Sequence, residues 1–200
     1  MRILMLVLAV TIHEFCHAWV AYRCGDPTPR VTGRITLNPV AHFDPLGFLC
    51  MLFAPFGWGK PVMVNPLNFR HPRRDDVLVS AAGPLSNIAA ALAFGILFRV
   101  GAHHGYLNTD FGHSLARLLL LGVQINLGLA FFNLIPLSPL DGSHVLQGLL
   151  PRDSARRFES FSRYGPATLL ILIFFGGGLL NAVLGPPIRF FFGLFTGWGY

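Results

Sequence analysis

ILMLVLAVTIHEFCHAWVAY, residues 3–22, is apolar over about the length that crosses the hydrocarbon core of a bilayer. Within it stand His13, Glu14 and His17. On a helix the two histidines fall at i and i+4, on one face, with the glutamate beside them. H-E-x-x-H at that spacing offers two imidazole nitrogens to a zinc ion and a carboxylate to act as general base. Ionisable side chains are costly inside a bilayer and read as functional there. Histidines that merely satisfy their neighbours would leave this shared, membrane-embedded face unexplained.

Composition points the same way. The chain has 200 residues, which suits one domain, here 1–200. It is 53% hydrophobic and 12% charged, with a mean hydropathy of +0.56. That is too apolar for an ordinary soluble globule and implies an integral membrane protein with the lipid bilayer as its surroundings. The net charge of +6 is not gathered into a basic run with interleaved aromatics, so nucleic acid is not an expected partner. Three cysteines, Cys16, Cys24 and Cys50, form no C-x-x-C and indicate neither a disulfide framework nor a thiolate zinc site. No cleavable leader is evident, because the first helix carries the chemistry and is expected to be retained.

Further along, Gly25-Asp26-Pro27 signals a turn. Residues 30–38, RVTGRITLN, alternate and are rich in β-branched side chains, which predicts a short strand. Residues 46–56 are apolar but too short to span, so a re-entrant or interfacial segment is expected. Residues 58–74, WGKPVMVNPLNFRHPRR, again read as strand and loop at a membrane interface. Further spans are expected at about 77–99, 114–135 and 166–184, with a short Gly- and Phe-rich segment at 187–198. The predicted fold is an all-α polytopic bundle of about four to six transmembrane helices. A small membrane-associated β element is expected between the first and second spans.

Placing residues 23–75 and the basic connector 150–164 on the cytoplasmic side puts eleven of the fifteen Lys and Arg residues inside. His17 is six residues before Arg23, so the site lies roughly 9 Å of helix from the cytoplasmic end.

A hydrolytic zinc site wants three protein ligands and an open position. The pattern H-E-x-x-H-x-x-G-x-x-H fails here, because Val20 and Arg23 occupy the later positions. Glu159 lies in the basic connector and reads as a solvated charge. Asp141 is a lone acid after a proline-broken span, and a metal ion supplies the partner that such a carboxylate needs. His144, three residues on, is its rival. His42 reads as structural, bonded to a turn, while His71, His103, His104 and His113 read as surface residues.

His13-Glu14-Phe15-Cys16-His17, together with Asn133-Leu-Ile-Pro-Leu-Ser-Pro-Leu-Asp141-Gly142, resembles the site-2 protease family of intramembrane zinc metalloproteases. Gly25-Asp26-Pro27, Gly59-Lys60-Pro61-Val62-Met63-Val64-Asn65-Pro66 and Ala82-Gly83-Pro84-Leu85-Ser86-Asn87 also look like segments of its compact branch. The resemblance runs from residue 1 to about 150, the expected catalytic core, and leaves the membrane segments at about 165–200 without specific motifs. No PDZ or CBS domain of the kind that relatives often carry is expected, nor a helix ahead of the first span.

The resemblance implies that His13, His17 and Asp141 bind one Zn2+ per chain and that Glu14 is the general base. Asn87 and Asn133 match the family's membrane asparagines and would orient the substrate strand or stabilise the oxyanion; interhelical hydrogen bonding is the alternative for each. The implied activity is hydrolysis of peptide bonds within or near transmembrane segments of a protein or peptide substrate in the cell membrane. A non-catalytic metal-binding membrane protein and a membrane di-iron oxygenase are the competing classes. The second needs several histidine boxes and finds only His13/His17.

Overall fold

A computed structural model describes residues 1–53 and 59–198. Among these residues the fold is entirely helical. The helices are α1 (Arg2–Arg23), α2 (Thr28–Val31), α3 (Pro45–Phe53), α4 (Pro72–His103), α5 (Asp110–Asn133), α6 (Asp141–Leu149), α7 (Arg152–Ser162), α8 (Gly165–Phe175) and α9 (Gly177–Thr196). Four of them, α1, α4, α5 and α9, are long and apolar enough to cross a membrane. Their outward faces carry exposed Leu4, Leu85, Leu92, Ile96, Leu179 and Val183. In water so large an apolar surface would drive aggregation, whereas lipid solvates it.

Helix α4 is the spine. It packs along α1, α5 and α6 and also meets α9. Ala91 of α4, Val123 and Leu127 of α5, and Phe192 and Phe195 of α9 form the largest buried cluster. Small residues permit the close approach: a Cβ on Gly95 would stand 2.8 Å from Phe195 Cβ, and one on Gly122 would stand 2.9 Å from the Phe94 ring. The start of α5 is capped by Thr109, whose hydroxyl accepts from the Gly112 N–H at 2.9 Å.

The β element expected at 30–38 and 58–74 is not found among the described residues. Thr28–Val31 forms a single helical turn, with Pro29 near its start. Asn38 caps a 3-10 turn over Pro39–His42 by accepting from the Val40 N–H. Residues 59–65 form no regular element, and the donors a ladder would need are absent or given away. Pro61 and Pro66 have no N–H. Val62 N–H donates to Glu14 and Asn65 N–H donates to Asp26.

The C-terminal break also differs from expectation. The chain is helical through Pro186 and Pro187, and α8 ends at Gly176, before Gly177 and Gly178. Three consecutive glycines have weaker helix preference than the flanking apolar residues. Helix α3, nine residues and about 13 Å long, is too short to span, as expected for the 46–56 segment; residues 54–58 lie outside those described.

Candidate active site

His13 and His17 emerge from one face of α1 and are both buried, 5% and 8% exposed. Their Nε2 atoms are 3.0 Å apart. Asp141, the first residue of α6, brings Oδ2 to 3.1 Å from His13 Nε2 and 3.4 Å from His17 Nε2. Pro136 and Pro139 end α5 and turn the chain back. Gly142 allows that return, because a Cβ there would meet Ile135 O at 2.6 Å.

The outer nitrogens of both imidazoles are fixed. His17 Nδ1 lies 2.7 Å from the Val79 carbonyl, which accepts only, so Nδ1 carries the proton. Asn87 donates both amide hydrogens, to Ala9 O at 3.0 Å and Asn126 Oδ1 at 2.9 Å. Its Oδ1 therefore accepts from His13 Nδ1 at 2.7 Å. Rings held this way turn both Nε2 atoms toward each other and toward Asp141.

Three potential ligand atoms, His13 Nε2, His17 Nε2 and Asp141 Oδ2, thus converge. Asp141 Oδ2 is buried with no hydrogen bond. A cation resolves the arrangement. Tetrahedral zinc keeps its ligand atoms roughly 3.3 Å apart, close to the separations here. The two-imidazole, one-carboxylate donor set therefore fits zinc. Among the described residues His13, His17 and Asp141 form the one group of three able to hold an ion.

Glu14 stands beside this centre, and its Oε2 accepts from the Val62 N–H at 3.1 Å. Two cavities meet at His13 and Glu14. One, of about 430 Å³, is lined mainly by apolar side chains of α1, α5 and α8. The other, of about 370 Å³, reaches His17, Asp141, Asp76 and His144. Asn133, at the end of α5, borders both and donates to Leu129 O at 2.9 Å.

Asn87 differs from the expected substrate contact. It is fully buried behind His13 with its whole amide engaged, and it fixes the His13 ring. His144 bonds toward Asp76 and is not among the three converging donors. His42 is buried and bonds the Thr36 carbonyl at 2.9 Å. Sequence reasoning missed Asn126, a buried amide in α5 that supports Asn87 and donates to Gly122 O. A polar amide within an apolar span was its signal. It also missed the Val79 carbonyl, which no side chain advertises, and the role of Gly83. A Cβ on Gly83 would stand 2.6 Å from His13 Nε2 and closer still to His17 Nε2.

Comparison with known proteins identifies the chain's relatives. Residues 99–175 match Peptidase family M50. The chain is 40% identical over 171 residues to the putative zinc metalloprotease YwhC of Bacillus subtilis, covering 85% of this chain and 78% of that one. It is 31% identical over 176 residues to the putative zinc metalloprotease Rip2 of Mycobacterium tuberculosis, covering 83% and 63%. It is 25% identical over 183 residues to the zinc metalloprotease MJ0392 of Methanocaldococcus jannaschii, covering 90% of this chain but 44% of that one. No solved structure matches the chain. Membrane-length helices, the site's chemistry and these relatives together define a multi-pass membrane metalloprotease. The chain belongs to peptidase family M50, the site-2 protease family.

Proposed function

We propose that the chain is an intramembrane zinc endopeptidase. It hydrolyses peptide bonds within or near transmembrane segments of membrane proteins, in regulated intramembrane proteolysis or in clearance of membrane remnants. The observation that carries this is the convergence of His13 Nε2, His17 Nε2 and Asp141 Oδ2 beside Glu14 on a membrane-length helix. In this proposal residues 1–200 act as a single catalytic domain in the plasma membrane, with the site nearer the cytoplasm.

His13, His17 and Asp141 would hold one zinc ion, oriented by Asn87 and the Val79 carbonyl. When bound, zinc polarises the scissile carbonyl and makes water available as a nucleophile near neutral pH. Glu14 takes the proton from the attacking water and returns it to the leaving amine. The Val62 N–H holds one Glu14 oxygen and leaves the other free for that proton. Asn133, bordering both cavities, orients the substrate strand or stabilises the oxyanion.

A transmembrane helix hides its peptide bonds in its own hydrogen bonds and must unwind to be cut. Pro61, Val62 and Val64 line the cavity beside the site, and the Met63 N–H makes no hydrogen bond among the described residues. This segment would receive the unwound chain by strand addition, although it forms no ladder of its own. Met63→Pro should then weaken cleavage while zinc content stays normal; unchanged cleavage would remove this step.

The function as a whole is tested by comparing the membrane proteomes of cells carrying the intact protein and its Glu14→Gln variant. Truncated or uncut membrane fragments should accumulate with the variant. Identical fragment profiles would contradict an intramembrane protease.

A further inference from the structure

The smaller cavity holds one ionisable pair that metal binding does not use. His144 Nδ1 lies 3.4 Å from Asp76 Oδ2, and both residues line the cavity that His13, Glu14, His17 and Asp141 enter. His144 follows Asp141 by three residues on α6, so the two share a helix face. Asp76 follows Arg73 by three residues on α4. Arg73 in turn donates from Nε to Gly148 O at 2.8 Å and contacts the Leu150 carbonyl. The start of α4 thereby clamps the end of α6 and fixes the two helices on which the pair stands.

The pair is a poor candidate for a purely structural contact. The His144 side chain is 52% exposed and Asp76 30%, so an ion pair there contributes little to stability. What distinguishes it is position: it opens on the cavity where the peptide carbonyl must sit.

We propose that His144 is a further catalytic residue, donating from Nε2 to the scissile carbonyl oxygen as charge develops on it, with Asp76 positioning the ring through Nδ1. The proposal rests on the hydrolytic function proposed above. Water oxygen bonds to the carbonyl carbon while the C=O electron pair moves onto oxygen and Glu14 takes the water proton. The pair then returns, the C–N bond breaks, and the proton on Glu14 goes to the amine. His144 keeps its proton throughout. The hydrogen bond to Asp76 raises the His144 imidazole above its ordinary value despite opposition from burial, which favours an Nε2–H at neutral pH. The charged and titratable groups facing it are Asp76 on α4, His13, Glu14 and His17 on α1, and Asp141 on its own helix. The 61–66 segment brings none.

The test uses the full chain in detergent with fluorescein-labelled β-casein as probe, and Glu14→Gln as the blank. His144→Gln should lower kcat about 100-fold, the scale of a lost oxyanion donor, with KM and zinc content near wild type. His144→Lys should restore part of the loss by keeping a cationic donor. Asp76→Asn should lower kcat about tenfold and move the alkaline limb of the kcat profile to lower pH. A His144→Gln protein with wild-type kcat, with lost zinc, or with only KM raised would overturn the proposal. If the wild type cut no faster than Glu14→Gln, the protease function itself would fail, and with it this role.

Discussion

Gly83 of α4 lies against His17 of α1 with no room for a side chain between them: a Cβ there would overlap His17 Nε2 and stand 2.6 Å from His13 Nε2. The glycine therefore sets how near α4 approaches the two histidines. Gly83→Ala should preserve helix content, since alanine favours the helix. It should lower zinc content and cleavage together by about tenfold or more, the scale seen when a ligand's surroundings are disturbed. Circular dichroism with metal analysis checks this, and full zinc occupancy in the variant would contradict it.

Asn87 is expected to act through His13. Asn87→Leu removes the acceptor for His13 Nδ1–H and should weaken zinc binding about 10- to 100-fold. Asn87→Asp keeps an acceptor while losing the donors to Ala9 and Asn126, so it should bind zinc more tightly than the leucine variant. Competition with a chelator of known affinity measures both. Equal affinities in the two variants would mean that orientation of the ring is not what Asn87 provides.

The motif at 13–17 and the acid at 141 were legible in sequence because an ionisable group in an apolar run is too costly to keep without a partner such as a metal ion. Their packing partners were less so. Val79 contributes through its backbone and Gly83 through a missing side chain, and neither leaves a residue-type signal. The strand misreading has a specific cause. Alternation at 30–38 and 60–66 measures β-preference, but a strand also needs free donors. Val62 and Asn65 spend theirs on Glu14 and Asp26, while Pro61 and Pro66 have none. Hydropathy puts the last helix break near Pro186 and Pro187, yet the chain breaks at Gly176. A proline costs one N–H, which a membrane helix tolerates, whereas a run of glycines has weak helix preference and breaks here at Gly176.

Val62 ties the 59–65 segment to Glu14. Val62→Pro removes the N–H held by Glu14 Oε2. Zinc content should not change, and kcat should fall about tenfold as the base loses a charge-assisted hydrogen bond. Casein hydrolysis and metal analysis in parallel check the split. A fall in zinc instead would show that the contact serves the ligands and not Glu14.

Asp26 anchors the same segment from its other end and gives a pH signature. Fully buried, it accepts from the Thr28 N–H and hydroxyl, the Asn68 amide and the Asn65 N–H. Burial would raise its carboxyl, but these donors outweigh it and hold it below the usual range. A native pKa below the unfolded one gives stability that is present above about pH 4 and lost as pH falls through the native value. Asp26→Asn should therefore unfold at lower temperature than wild type at neutral pH. The gap should narrow as pH is taken below about 4. Thermal unfolding in detergent across that range checks the sign, and a gap that widened in acid would contradict it.

The central claim is that a three-ligand zinc site with Glu14 as base cuts peptide bonds. The most direct measurement is zinc content and peptide cleavage of wild type and Glu14→Gln, purified side by side. Both proteins should carry about one zinc per chain, since Glu14 is not a ligand, and cleavage should disappear in the variant. A Glu14→Gln protein that cuts at the wild-type rate, or a wild type that cuts without zinc, would contradict it.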